Sequence, residues 1–314
     1  HSARWGHIAG RARHLGRRFN HLEARASMSK IACIGEAMIE LSMGEDSPQV
    51  GVAGDTLNTA IYLKRSAPEL SVDYITCLGD DPFSQRIMAF IDAQDLGTGA
   101  IQTLTDASPG LYAITTTPDG ERSFTYWRSN SAARQTFADG DFEFLNSYDA
   151  IYLSGISLAI LSHTIRLALL KWLSGTPIKL IYDSNYRARL WESVENARLV
   201  TTAMWERADF ALPSIDDEME LFEQSAKEVV ARFSAHAGQG ALKRGAEGPI
   251  SIGSDVTQSY ASAPNVIDTT AAGDSFNGGY LSGALTGKSQ AEALLRGHDL
   301  AARVVQHRGA IIPR

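Results

Sequence analysis

Residues 268–281 read Asp-Thr-Thr-Ala-Ala-Gly-Asp-Ser-Phe-Asn-Gly-Gly-Tyr-Leu. The small residues Ala271, Ala272 and Gly273 let the backbone approach a ligand closely, and the pattern from Asp274 onward predicts a helix. Free N–H groups and the positive end of the dipole make such a helix start suitable for phosphate oxygens. A carboxylate at Asp274 is poised to accept a proton from an attacking hydroxyl while neighbouring amides hold the charge on a transferred group. The same spacing also fits Asp274 as a plain helix cap. Only the rest of the chain separates these two readings.

Working outward, Lys30-Ile-Ala-Cys-Ile-Gly35 is a short apolar run expected to be a buried first strand. Further apolar runs at 74–78, 150–153, 179–182 and 210–212 alternate with helical patterns at 54–65, 162–174, 192–207 and 216–234. The first of these helices puts Leu57, Ile61 and the stem of Lys64 on one face, with Asp55 or Thr56 as its cap. Strands separated by helices predict an α/β fold with a mostly parallel central sheet covered by helices. Residues 38–53 and 100–128 break that rhythm. Their short alternating segments, 110–117 and 123–128 among them, flank the turn-forming Pro118-Asp-Gly-Glu121 and are expected to form a small β-sheet lid. A lid over a cleft keeps water from a reactive phosphoryl group.

Of the 29 basic and 36 acidic side chains, six arginines and one glutamate fall within residues 1–27, so the remainder keeps 23 and 35, a net charge of −12. A body this acidic repels nucleic acid and anionic membranes. No apolar run approaches the roughly 20 residues of a membrane span. Cys33 and Cys77 lie in apolar strand-like runs, which suits buried thiols in a reducing compartment, and the cytoplasm is the expected location. Residues 1–27 repeat His7, His14 and His21 with an arginine four places after each, a helical rhythm with one main apolar position per heptad where a coiled coil needs two. They are expected to be an appended or mis-assigned start, outside a domain spanning 28–314.

Gly283-Ala-Leu-Thr-Gly-Lys-Ser289 imitates a P-loop, but three residues separate its glycines where that motif needs four, so a helix-to-helix turn is expected. No zinc cluster or Gly-x-Ser-x-Gly elbow is present in the sequence.

The chain resembles the ribokinase-like (pfkB) carbohydrate kinases, whose late motif reads Asp-Thr-x-Gly-Ala-Gly-Asp before a helix; here Ala271 stands in the usual glycine position. The resemblance covers residues 28–314 and is carried in order by 34–42, 54–60, 110–114, 124–128, 152–161, 182–191, 242–248, 268–276 and 307–314. It is strongest to a branch acting on sugar acids. The resemblance implies a three-layer fold with a small lid, and transfer of the terminal phosphoryl group of ATP, with Mg²⁺, to a sugar hydroxyl. It implies a homo-oligomer, to which the open edges of the lid sheet lend themselves, and leaves open a monovalent cation at the anion loop.

The same resemblance assigns residues. Asp274 is the base, with Ala271, Ala272 and Gly273 as the anion hole. Gly54, Asp55 and Asn58 bind sugar hydroxyls, with Ala53 in place of the first of two glycines, and Tyr112 and Tyr126 close over the sugar. A substrate carboxylate calls for the planar fork of arginine. Arg128 and Arg187 are the candidates, the latter in Asp183-Ser-Asn185-Tyr-Arg187 after a predicted strand, where open α/β sheets place ligands. Either arginine also fits a surface ion pair. Lys243, Gly245 and Gly248 form the nucleotide turn, Ser214 approaches the phosphates and Glu218 holds Mg²⁺ through water, although Ser214 with Asp217 also suggests a capping box. Asn277 and His298 are candidates for the adenine side. The competing functions are a kinase for a neutral sugar or nucleoside, and a non-catalytic sugar sensor.

Overall fold

The computed structural model describes residues 30–43, 47–117, 119 and 121–314. The arginine-rich stretch 1–27 and Pro118 and Gly120 of the expected turn lie outside the described residues. The described elements run β1 (Lys30–Ile34), β2 (Met38–Met43), β3 (Pro48–Ala53), α1 (Asp55–Ser66), β4 (Ser71–Ile75), β5 (Cys77–Gly79), α2 (Pro82–Ala93) and β6 (Gln102–Leu104). They continue with β7 (Leu111–Thr116), β8 (Arg122–Trp127), β9 (Ala150–Ser154), α3 (Gly155–Ala159), α4 (His163–Gly175), β10 (Lys179–Asp183) and α5 (Val194–Arg207). The last third holds β11 (Phe210–Leu212), α6 (Ile215–Phe222), α7 (Ala226–Ser234), β12 (Gln239–Leu242), β13 (Ile250–Ile252), α8 (Ala272–Ala284) and α9 (Gln290–Val304).

Seven strands form the main sheet in the order β13-β12-β11-β10-β9-β1-β4. Every pairing is parallel except the last edge, β12 with β13. The apolar runs explain this: β9 is buried along its whole length and β10 at four of its five residues, as strands covered on both faces must be. One apolar cluster joins Leu153, Leu180 and Tyr182 to Leu169, Met204 and Trp205, and another joins Ile31 and Tyr152 to Leu57, Ile61 and Tyr280. Glycine matters in the second layer. A Cβ on Gly278 would stand 2.6 Å from the Tyr62 Cβ and 2.8 Å from the Leu63 nitrogen, so its absence lets α8 lie directly on α1.

Four strands make a second sheet, β3-β2-β7-β8, in which β2 and β7 are parallel and the outer pairs antiparallel. Residues 102–104 were expected in it but pair instead with β5 as a separate two-stranded ribbon. The helix expected over 216–234 is two helices: Glu223 takes a left-handed conformation (φ 53°) and ends α6, and Ser225 opens α7 in a capping box with Glu228. Neither Asp55 nor Thr56 caps α1, whose start at Gly54 has no side-chain cap; the Thr56 hydroxyl lies 2.9 Å from that of Tyr74. The P-loop look-alike is a helix-to-helix turn, in which Ser289 caps α9 by accepting from the Glu292 N–H. Among the described residues no helix is long and apolar enough to cross a membrane.

Candidate active site

The carboxyl ends of β9, β10, β11 and β12 deliver Ser154, Asp183, Pro213-Ser214 and Lys243 to one rim of the sheet. A cavity of about 630 Å³ lies there, beneath the inner face of the small sheet. Asp55, Asn58, Asp183, Asn185, Arg187 and Asp274 line it, together with Tyr112, Tyr126 and Arg128 of the small sheet. Ser214, Lys243, Gly245, Ala271, Ala272, Gly273 and His298 line it as well.

Helix α8 starts earlier than its sequence suggests. Ala271 occupies the N-cap position in the left-handed region (φ 60°, ψ 20°), which makes Asp274 the third residue of the helix and removes its reading as a cap. The Ala272 N–H is already taken by the Thr269 carbonyl (3.1 Å), so this amide is not a free member of the expected anion hole. A Cβ at Gly273 would meet only the Lys243 Nζ, at 3.8 Å, so its bareness leaves room for a ligand. Gly54 is different: a Cβ there would strike the Glu36 carbonyl at 2.2 Å, so the fold requires that glycine.

Asn58, one turn into α1, donates through Nδ2 to Asp274 Oδ2 (2.9 Å), while Asn58 Oδ1 is buried without a partner, an acceptor suited to a sugar hydroxyl. Burial and the nearby Asp55 charge push the Asp274 carboxyl up to about 8, against the opposing pull of Asn58. Asp55 accepts from Ser154 Oγ (2.5 Å) and Asn185 Nδ2 (2.7 Å), and its pKa is also raised, chiefly by burial. Asn185 holds this bond from a positive φ of 27°, a cost tolerated where a fixed side chain is needed. Asp183 pairs with Lys243 Nζ (2.9 Å) and accepts from Asn277 Nδ2 (2.9 Å). Three carboxylates thus converge on the cavity with Lys243 between them.

The two arginines expected for a substrate carboxylate differ sharply. Arg128 is 9% exposed and paired with the buried Glu36, so it is no surface ion pair. Arg187 is 47% exposed, reaches Asp217 at 3.5 Å and donates to the Tyr186 carbonyl (2.6 Å). Tyr112 donates to Glu40 and stacks on Tyr126 (centroids 5.5 Å apart), and Arg189 lies over the Tyr126 ring at 4.1 Å. The sequence did not single out Glu36, Ser154 or Arg189. Their signal was membership of segments 34–42, 152–161 and 182–191, which carry the family resemblance.

Three nucleotide-side expectations need correction. Glu218 is fully buried against Arg232 (2.8 Å) and Trp205 Nε1 (3.1 Å), and burial pushes its carboxyl up to about 7; it does not line the cavity and cannot face a cavity-bound Mg²⁺. Asn277 is buried beneath the site, donating to Tyr152 and Asp183, and does not reach the cavity for adenine. Gly248 (φ 81°) abuts the Tyr260 ring and is a turn residue behind the wall. Gly245 (φ 57°) and Lys243 do line the cavity, as does His298, whose Nε2 meets the Ala261 carbonyl at 2.7 Å. Ser214 makes no side-chain cap, and Asp217 turns instead to the Tyr186 N–H (3.3 Å) and the Ser184 hydroxyl (3.4 Å), so the capping box is absent. Among the described residues no group of three or more His, Cys, Asp or Glu side chains is placed to hold a metal.

Residues 28–314 match the model of the pfkB family of carbohydrate kinases. The 2-dehydro-3-deoxygluconokinase of Escherichia coli (strain K12) is 44% identical over 301 residues, covering 91% of this chain and 97% of that protein. The enzyme of the same name from Dickeya dadantii (strain 3937) is 42% identical over 299 residues, covering 90% and 96%. The crystal structure of a PfkB protein from Polaromonas sp. JS666 aligns with a TM-score of 0.77 at 27% identity, covering 90% of this chain and 96% of that one.

Proposed function

We infer the reaction from one premise, that the chain belongs to the pfkB family of carbohydrate kinases: it phosphorylates 2-keto-3-deoxygluconate at the 6-hydroxyl with ATP. Relatives carrying the corresponding name match nearly end to end, which supports this substrate over others in the family. The observation that carries the chemistry is Asp274, half-buried in the first turn of α8, lining the cavity and hydrogen-bonded directly to Asn58.

In this reading the Asp274 carboxylate takes the proton of the 6-hydroxyl as its oxygen attacks the terminal phosphorus. The bond from that phosphorus to the bridging oxygen breaks and ADP leaves with the electron pair. The Gly273 and Asp274 amides of α8, the Ala272 amide being taken by Thr269, and Lys243 face the charge spread over the transferred group. Asp55, Asn58 and Asn185 hold hydroxyls, and Tyr112, Tyr126 and Arg128 cover the sugar from the small sheet, which acts as the lid. Asp216 and Asp217, which line the cavity beside Ser214, replace Glu218 as the carboxylates that would face Mg²⁺, which when bound would neutralise charge on the nucleotide phosphates. A monovalent cation at the anion loop, a homo-oligomer and a cytoplasmic setting are finer parts of the same reading.

A neutral-sugar kinase is the second reading, favoured by one observation: both expected arginines already have acid partners. A coupled assay over sugar acids and neutral sugars separates the two. The expected result is turnover of 2-keto-3-deoxygluconate, with Arg187→Ala raising its KM about tenfold or more, the scale of a lost charge-assisted contact, and sparing any neutral sugar that is turned over. Equal weakening of both classes would remove the carboxylate clamp, and wild-type turnover of neutral sugars alone would remove the substrate.

A further inference from the structure

Strand β8 is an edge strand with a single sheet neighbour, β7, yet side chains grip it at both ends. At its start, Arg122 presents its guanidinium end-on to Asp268, with Nη1 3.0 Å from Oδ1 and Nη2 3.2 Å from Oδ2, and a weaker contact of 3.4 Å to Thr270 Oγ1. Asp268 opens the loop that leads into α8. Its side chain is 3% exposed and also accepts from the Thr270 N–H (3.0 Å), the Thr270 hydroxyl (2.6 Å) and the Gly309 N–H (2.9 Å). One carboxylate therefore ties together the small sheet, the anion loop and the segment after α9. Burial alone would raise its pKa, but the bonds from Arg122, Thr270 and Gly309 outweigh burial and hold it well below the usual carboxylate range, so the pair stays charged at working pH.

Near the other end of β8, Tyr126 lines the cavity, and Arg189, from the loop after β10, lies over its ring at 4.1 Å. Arg189 forms no ion pair among the described residues. A guanidinium over an aromatic face is attracted by the ring quadrupole. The two grips thus run from β8 to different loops, 268–273 at the phosphoryl end and 185–189 at the sugar end.

We propose that Arg122 and Arg189 are positioning residues that fasten the small sheet to both loops, so that closure of the lid and ordering of the anion loop are one event. The proposal rests on the kinase reading and deepens it. Arg122 matters most, since a bidentate pair fixes orientation as well as distance. With both contacts made, the small sheet is held over the cavity from its phosphoryl end and its sugar end together.

The test uses the full chain as wild type, Arg122→Ala, Arg122→Lys and Arg189→Ala, with melting temperatures to establish folding. Hydrogen exchange without ligands is read at 122–127 and 268–273, alongside ATP consumed per sugar phosphate formed. In Arg122→Ala, exchange should quicken about tenfold in both segments together, on the scale of a site-to-site coupling, and ATP hydrolysis uncoupled from sugar should rise. Arg122→Lys keeps the charge but not the fork, and is expected to fall between. Arg189→Ala should loosen 122–127 while leaving 268–273 protected. The proposal is overturned if Arg122→Ala loosens 122–127 alone with coupling intact, since the pair is then only a surface salt bridge. Unchanged exchange at 122–127 in Arg189→Ala removes the sugar-end grip. Because exchange is measured without substrate, a wild type that phosphorylates no sugar acid would count against the reaction and leave this result standing.

Discussion

The phosphoryl end of the cavity and its sugar end are built by different means. At the phosphoryl end the decisive features are local: Ala271 turns left-handed, the helix begins, and Asp274 follows three residues later. At the sugar end they are pairings between residues far apart in the chain, such as Arg128 with Glu36, 92 residues away, and Asn185 with Asp55, 130 away. A local motif keeps its meaning when read as letters. A side chain whose partner is distant does not, because the partner decides whether its charge is free for a ligand.

The sharpest way to break this contrast is at Asp274. Asp274→Asn preserves shape and a polar contact to Asn58, so binding should hold while kcat falls about 10²–10⁴-fold, the range for a lost acid–base group. Single-turnover kinetics with separately measured ligand affinities would check it, and unimpaired turnover would return Asp274 to a structural role. The pH dependence follows from the same group. With its folded pKa near 8 and an unfolded value of about 4, the native state holds the extra proton between those limits. The contribution of Asp274 to stability should therefore be fully present below about pH 4 and be lost as pH rises towards 8, whereas kcat/KM should climb through the upper part of that window as the base ionises. Asp274→Asn should make the stability profile shallower, leaving the decline due to Glu218, whose carboxyl burial pushes up to about 7. An equally steep decline in the variant would assign the titration to another group.

The arginines offer the next test. Arg128→Ala leaves Glu36, 1% exposed, as a buried charge without its partner, and should cost about 3 kcal/mol or more. Arg187→Ala breaks a longer pair at an arginine that is 47% exposed, and should cost less than about 0.5 kcal/mol. Denaturant melts of both variants give the comparison directly. Similar losses would mean that the two arginines are equivalent structurally, and that burial does not divide their roles.

How much of this was legible in the sequence follows the same division. The alternation of buried strands and helices announced the parallel sheet, because burial on both faces imposes apolar runs that need no partner to be recognised. The cavity-lining positions of Asp55, Asn58, Asn185 and Asp274 were legible through family motifs. Glu218 and Asn277 were misjudged for one reason: each lies on a helix beside a site residue, and a helix turns neighbouring side chains about 100° apart. Glu218 therefore faces Arg232 while Asp217 faces the cavity, and Asn277 faces Asp183 from below.

The smallest predicted effect bears on the most local feature. A residue at φ 60° carries the steric cost of a Cβ close to the following carbonyl, about 1–2 kcal/mol for a non-glycine residue, and Ala271 sits there. Glycine removes that cost but loses more chain entropy on folding, about 0.5–1 kcal/mol. The two nearly cancel, so Ala271→Gly should change stability by a gain of about 0.5 kcal/mol, within the scatter of those terms. Catalysis should be almost unaffected, because the amides and Asp274 keep their places if the left-handed turn is what the loop requires. Calorimetry together with kcat would test this. A loss of about 1 kcal/mol or more, or a marked fall in kcat, would mean that the Ala271 methyl itself supports the loop, and that the phosphoryl end also depends on side-chain packing rather than on backbone shape alone.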